Sequence, residues 1–358
     1  MEVDFPDPSF SPIDKFSPSL ANQLMSCPLR VAFSLDPASK HWNRPSTYSA
    51  LGVAAHKVTE LSFTIRLFDA DEAVIRQRAE EIWELAIHDA ASDLNDKWAP
   101  ATPPPPKDWP GYSLTRARTV NRAAKQIIKN KETRDKHVEG TGIEIWLTDS
   151  ESGLHGRADR IDIDGDSTRI VDLKTGLKQG EPTDDQHRQL LLYAVLLQRV
   201  KGNWPNSLAI EDATGKQYEI KFEPSDAEAE LAKVKRAVVE FNDSVASEDL
   251  VTKADPNPDR CRWCPYRVIC GPFWEKLTSD WDQRSVFGVV QTTGDSDLGP
   301  FAVLKTQSPK DRKDSEIHVG KLSVPLPDGI NKVVVVDWQG NSAGGNVHVR
   351  WNTLIRTW

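Results

Sequence analysis

Between residues 156 and 176 apolar and polar positions alternate in two short runs, Ile161 and Ile163 on one side of Asp164-Gly165-Asp166-Ser167 and Ile170 on the other. Period-two alternation around a turn whose glycine is free to take positive φ predicts a β-hairpin. A loop centred on Gly165-Asp166 pairs Ile161 with Ile170 and Asp162 with Arg169. The same register sets Asp159 opposite Asp172, with Cβ atoms roughly 4.5–5.5 Å apart. Upstream, residues 17–100 read as a helical region whose first helix starts at the Ser17-Pro18-Ser19 capping signal, after an irregular stretch over 1–16. TPPPPKDWPG (102–111) is a stiff spacer before a basic helix over 114–138. A strand at 142–148, the hairpin, a helix at 184–198, a strand pair around 207–222 and a charged helix near 225–243 follow. The expected architecture is α/β, a mixed sheet with helices on both faces.

From about 284 the texture changes to short alternating strands such as SVFGVVQTT and KVVVVDWQG. This predicts a small C-terminal β-barrel over 284–358, OB-like or SH3-like. Trp338, Trp351 and Trp358 either stack single-stranded bases there or fill a small core.

The hairpin also carries chemistry. Asp159 and Asp172 intrude on a face shared with Ile161 and Ile170, where repulsion and desolvation are both costly. A divalent cation between them removes that cost. Lys174 follows Asp172 by two and shares its face, so its ammonium is placed to position or polarise an attacking water and to offset developing negative charge. Such a set suits metal-assisted attack on a phosphodiester. Asp162, on the other face, is expected to pair with Arg169.

Composition and charge narrow the class further. The chain has 358 residues, 38% hydrophobic and 27% charged, with no apolar run long enough to span a bilayer. Its N-terminus is acidic and proline-broken, without the basic and apolar segments of a signal peptide, so a cytoplasmic location is expected. A net charge of −8 argues against nucleic-acid binding only until it is taken segment by segment. Arg118, Arg122, Lys125 and Lys129 recur at helical spacing beside a second stripe of Val120, Ala124, Ile127 and Ile128. One face of that helix packs and the other meets phosphates.

All four cysteines fall in one pattern: Cys27 near the start, then Cys261-x-x-Cys264-x-x-x-x-x-Cys270. The close C-x-x-C pair favours a metal over a disulfide framework. Spacing alone leaves zinc and an iron–sulfur cluster both open.

GRADRIDIDGDSTRIVDLKTG (156–176), with LGVAAHKVTEL (51–61) and DDQHRQLLLYAVLLQ (184–198), resembles the PD-(D/E)XK nuclease superfamily, in the branch of RecB-type and CRISPR-associated adaptation nucleases. The resemblance covers roughly 17–275, within a domain expected over 17–280. It implies a Mg²⁺- or Mn²⁺-dependent DNA nuclease, with His56, Asp159, Asp172 and the Leu173 carbonyl as metal ligands and Lys174 serving the attacking water. It further implies that Gln189 and Tyr193, four apart on one helical face, orient the lysine and contact the DNA backbone. One distant cysteine with C-x-x-C-x5-C is similar to the [4Fe-4S] staple of AddB-type relatives, which favours iron–sulfur over zinc. Glu60, one turn from His56, reads as solvated or ion-paired. No G-x-x-x-x-G-K-[ST] loop is present, so any unwinding comes from a helicase or other subunit in trans. Two other readings stay open: an end-trimming, DNA-binding subunit in a repair or defence assembly, and a zinc-stapled RNA nuclease.

Overall fold

The structure is a computed structural model that describes residues 10–132, 142–174, 181–281, 284–341 and 345–358. Its first helix starts at the expected place: the Ser17 side chain accepts from the Leu20 N–H, and Pro18 opens α1 (Pro18–Ser26). Cys27 separates α1 from α2 (Pro28–Leu35). A Ser46–Ser49 capping box starts α3 (Thr47–Thr64), and the Asp71 side chain caps α4 (Glu72–Trp98). With α5 (Tyr112–Glu132) they form a helical layer. Ala54, Ala55 and Val58 of α3, Ala79 and Ile82 of α4, and Val120, Ala123 and Ile127 of α5 recur every three or four residues and share one core.

The sheet follows, as β1 (Gly142–Asp149), β2 (Leu154–Asp164), β3 (Ser167–Lys174), α6 (Asp184–Lys201), β4 (Ser207–Asp212), β5 (Gln217–Ile220) and α7 (Pro224–Ala246). The five strands lie side by side in chain order. Neighbours are antiparallel except β3 and β4, which α6 joins as a parallel crossover. Every residue of α6 from Leu190 to Leu197 is buried. An unbroken apolar run fits a helix covered all round, and α6 is enclosed by α1, α7 and the sheet.

Beyond α8 (Pro258–Cys261) and α9 (Gly271–Lys276) come β6 (Ser285–Ser296), β7 (Gly299–Ser308), β8 (Glu316–Gly320), β9 (Lys332–Val336), β10 (Gln339–Asn341), β11 (Asn346–His348) and β12 (Leu354–Thr357). They form one seven-stranded sheet, in the order β10-β11-β8-β7-β6-β9-β12. Among the described residues no pairing joins β10 to β12, so the expected barrel is replaced by an open sheet. Two-sided burial is the physical reason. Val333 and Val335 pack with Val286, Leu304 and Trp338 on one face, while Val334 and Val336 join Phe287 and Leu354 in the core of the helical layer. Trp351 meets Trp98 edge-on at 5.2 Å, and Trp358 stacks on Phe287 at 5.8 Å. Trp338 is buried in a core, and Trp351 and Trp358 pack against one. No described helix is long and apolar enough to cross a membrane.

Candidate metal centre and active site

The hairpin adopts the expected register, Ile161 opposite Ile170 and Asp162 opposite Arg169, with Gly165 at φ +56° in the turn. Strand alternation then breaks at the point that matters. Ala158 and Ile161 both pack into the α6 core, so the pattern slips by one between them, and Asp159 lies in the slip. Across from it on β1, Glu144 takes φ +55°, a region that non-glycine residues seldom occupy and that costs on the order of 1–3 kcal/mol. These two distortions aim both carboxylates into one cleft. His56 joins them from the sheet-facing side of α3, and ligand atoms of His56, Glu144 and Asp159 all lie within 4.8 Å of one another. Glu144 was not among the residues singled out from sequence. In Ile143-Glu144-Ile145-Trp146 it reads as an ordinary outward position, and only extending the hairpin register across to β1 could have found it.

Asp172 and its partners stand beside this trio. Lys174 Nζ is 2.7 Å from Asp172 Oδ2, and the Gln189 amide donates to Oδ1 at 2.9 Å. Lys174 also lies 3.4 Å from Gln189 Oε1. The Leu173 N–H donates to Asp159 Oδ2 at 2.7 Å, so a main-chain group of Leu173 already holds one carboxylate. Tyr193 donates to the Arg157 carbonyl at 2.8 Å. Its ring passes so close to Gly156 that a Cβ there would sit 2.9 Å from Cε1. Glu60 pairs with Lys57 on the helix surface.

Burial dominates the electrostatics. It raises the carboxyl of Asp172 to about 6, opposed by Lys174 and reinforced by Asp159. It raises Asp159 against the pull of the Leu173 N–H, and Glu144 against the pull of Arg157. It lowers His56, which favours the neutral, ligating imidazole. The buried Asp172 carboxyl, the half-buried Asp159 and Glu144 and one neutral imidazole form a donor set whose charged state is costly alone and relieved by a divalent cation.

A groove of about 1630 Å³ runs along α5 between the helical layer and the sheet, lined by Arg118, Arg122, Lys125, Lys129, Arg160 and Arg169 among others. The four basic residues singled out on α5 thus share one surface, but one differs in kind. Arg122 is locked against Glu211, which Arg160 also meets at 2.9 Å. It is a structural ion pair and not a free phosphate contact. Arg169 likewise pairs with Glu219, and Asp162 with Arg160, so the cross-strand Asp162–Arg169 pair does not form despite the matching register.

Cys27, Cys261, Cys264 and Cys270 line a single cavity together with Arg30, Arg260 and Arg267. None is disulfide-bonded. Burial pushes the Cys264 thiol up to about 11 and raises Cys261 and Cys270. Four unbonded thiols gathered from both ends of the fold fit a metal group that stabilises them as thiolates.

The model of the PD-(D/E)XK nuclease superfamily matches residues 15–271. The chain belongs to that superfamily. Comparison with curated proteins returns no match. Members of the superfamily are typically divalent-metal-dependent nucleases, and the matched stretch holds His56, Glu144, the hairpin, Gln189, Tyr193 and all four cysteines. The C-terminal sheet lies outside it.

Proposed function

We propose that this PD-(D/E)XK protein is a Mg²⁺- or Mn²⁺-dependent deoxyribonuclease acting on single strands or DNA ends, with its fold clipped by a [4Fe-4S] cluster on Cys27, Cys261, Cys264 and Cys270. The convergence of His56, Glu144 and Asp159 beside the Asp172–Lys174 pair carries this reading. His56, Glu144, Asp159 and Asp172 would hold the catalytic cation, aided by the Leu173 main chain. When bound, the cation supplies Lewis-acid polarisation of the phosphoryl oxygen and lowers the pKa of a water. The imidazole in the set favours Mn²⁺ over Mg²⁺.

The chain's own groups do the rest. Gln189 and Asp172 hold the Lys174 ammonium, which orients the attacking water and offsets charge developing on the phosphate. Tyr193 fixes the backbone at Arg157, two residues ahead of Asp159. Arg118, Lys125 and Lys129 line the groove that takes the phosphates. Unwinding belongs to a helicase or other partner in trans, in repair, recombination or anti-phage defence.

The likeness of Cys27 with Cys261-x-x-Cys264-x5-Cys270 to the staple of AddB-type relatives supports the cluster over zinc. Visible absorption after anaerobic purification, with iron and no zinc by elemental analysis, is the expected result. End-labelled single and double strands incubated with Mn²⁺ test the activity. Lys174→Ala and Asp172→Ala lower cleavage by at least about 100-fold, and variants as active as the parent would overturn the mechanism. A parent that binds DNA without cutting it would favour a binding subunit.

A further inference from the structure

Trp146 is 67% exposed, an unusual loss of burial for the largest side chain. On β1 its neighbours Ile145 and Leu147 pack into the α6 core while the indole points the other way. β1 is an edge strand. Directly across from Trp146 is Arg157, itself half exposed, with Cβ atoms about 5 Å apart. Arg157 Nε reaches Glu144 Oε2 at 2.5 Å, and Glu144 belongs to the candidate metal trio. An open aromatic face, a guanidinium with several donors and a metal-ligating carboxylate therefore follow one another along the outer face of β1 and β2. Trp263 is as bare, but the Arg262 guanidinium lies over its ring at 5.2 Å.

Building on the nuclease reading above, we propose that Trp146 and Arg157 form a platform for one nucleotide of single-stranded DNA next to the scissile phosphate: the base stacks on the Trp146 indole and Arg157 binds the adjoining phosphate. Stacking needs a base face that a duplex keeps covered, so the platform selects single strands. The guanidinium supplies charge that an acidic metal site lacks until its cation is bound.

The test is fluorescence anisotropy of a labelled short oligothymidylate with the full-length protein in EDTA, repeated with a duplex of equal length. Trp146→Ala is expected to weaken single-strand binding roughly 5- to 100-fold, Trp146→Phe to recover most of it, and duplex binding to change by less than about 2-fold. Arg157→Ala is expected to lower the salt dependence by about one phosphate contact. Because the indole is exposed, the thermal midpoint of Trp146→Ala stays with the parent, which separates lost binding from lost folding. A parent that binds and cuts single strands while Trp146→Ala matches it overturns this proposal and leaves the nuclease reading standing. A parent that neither binds nor cuts them overturns both.

Discussion

Asp172 shows how a single side chain links stability to chemistry. Its carboxyl titrates near 6 in the folded chain and near its ordinary value of about 4 when unfolded. The folded state therefore holds the proton more tightly. The stability this contributes is fully present below about pH 4 and is lost as pH rises through 6. In chelator at pH 7.5, Asp172→Asn should be more stable than the parent by on the order of 1–3 kcal/mol, and the gap should close at pH 4. Added Mn²⁺ should raise the melting temperature of the parent more than that of the variant, which keeps His56, Glu144 and Asp159. Thermal melts at two pH values, with and without metal, check all three statements, and a variant less stable than the parent in chelator would sink the electrostatic account. At this scale the acids of the hairpin were legible in the sequence because turn chemistry and alternation are local. Glu144 was not, because it depends on a left-handed backbone and on a third strand.

At the scale of elements, α5 divides its basic residues between two tasks that helical spacing cannot tell apart. Arg122 faces inward to Glu211, while Lys125 lies exposed along the groove. Removing one partner of a buried pair leaves a charge without compensation. Arg122→Ala should cost about 2–4 kcal/mol by denaturant unfolding, moderated because Arg160 still faces Glu211. Lys125→Ala should leave stability within about 0.5 kcal/mol of the parent and reduce the salt slope of DNA binding by about one. If the two variants behave alike, the division is wrong. The order of helices and strands up to α7 was readable, from the Ser17 cap and from the apolar run of α6. Which cation turns inward depends on Glu211, eighty-nine residues away, and no local pattern reports that.

For the whole molecule, the C-terminal sheet is tied to the cysteine segment. Arg267, between Cys264 and Cys270, donates from Nε to the Cys264 carbonyl at 3.0 Å, and its Nη2 reaches both oxygens of Asp337 at 2.9 Å. Phe287, Val334 and Val336 press on the same core as Phe273 and Trp274. Asp337→Ala should lower the unfolding free energy by about 2 kcal/mol and, on the iron–sulfur reading proposed above, speed bleaching of the cluster's visible absorption in air. Unchanged stability and unchanged bleaching would show that the sheet does not brace this segment. The closed barrel expected from strand texture failed here for a related reason. The four consecutive valines of KVVVV do not alternate, and such an unbroken run is the mark of a strand covered on both faces, a signal that strand texture alone passed over.

Cys27 shares its cavity with three thiols that lie more than two hundred positions downstream. During synthesis from the N-terminus it is therefore made long before its companions leave the ribosome. Until then the first two helices lack their far anchor, and the lone sulfur is open to oxidants or to a premature partner. On the iron–sulfur reading proposed above, production at low oxygen, with iron and sulfide supplied while translation proceeds, should therefore raise the native yield more than reconstitution of the finished chain.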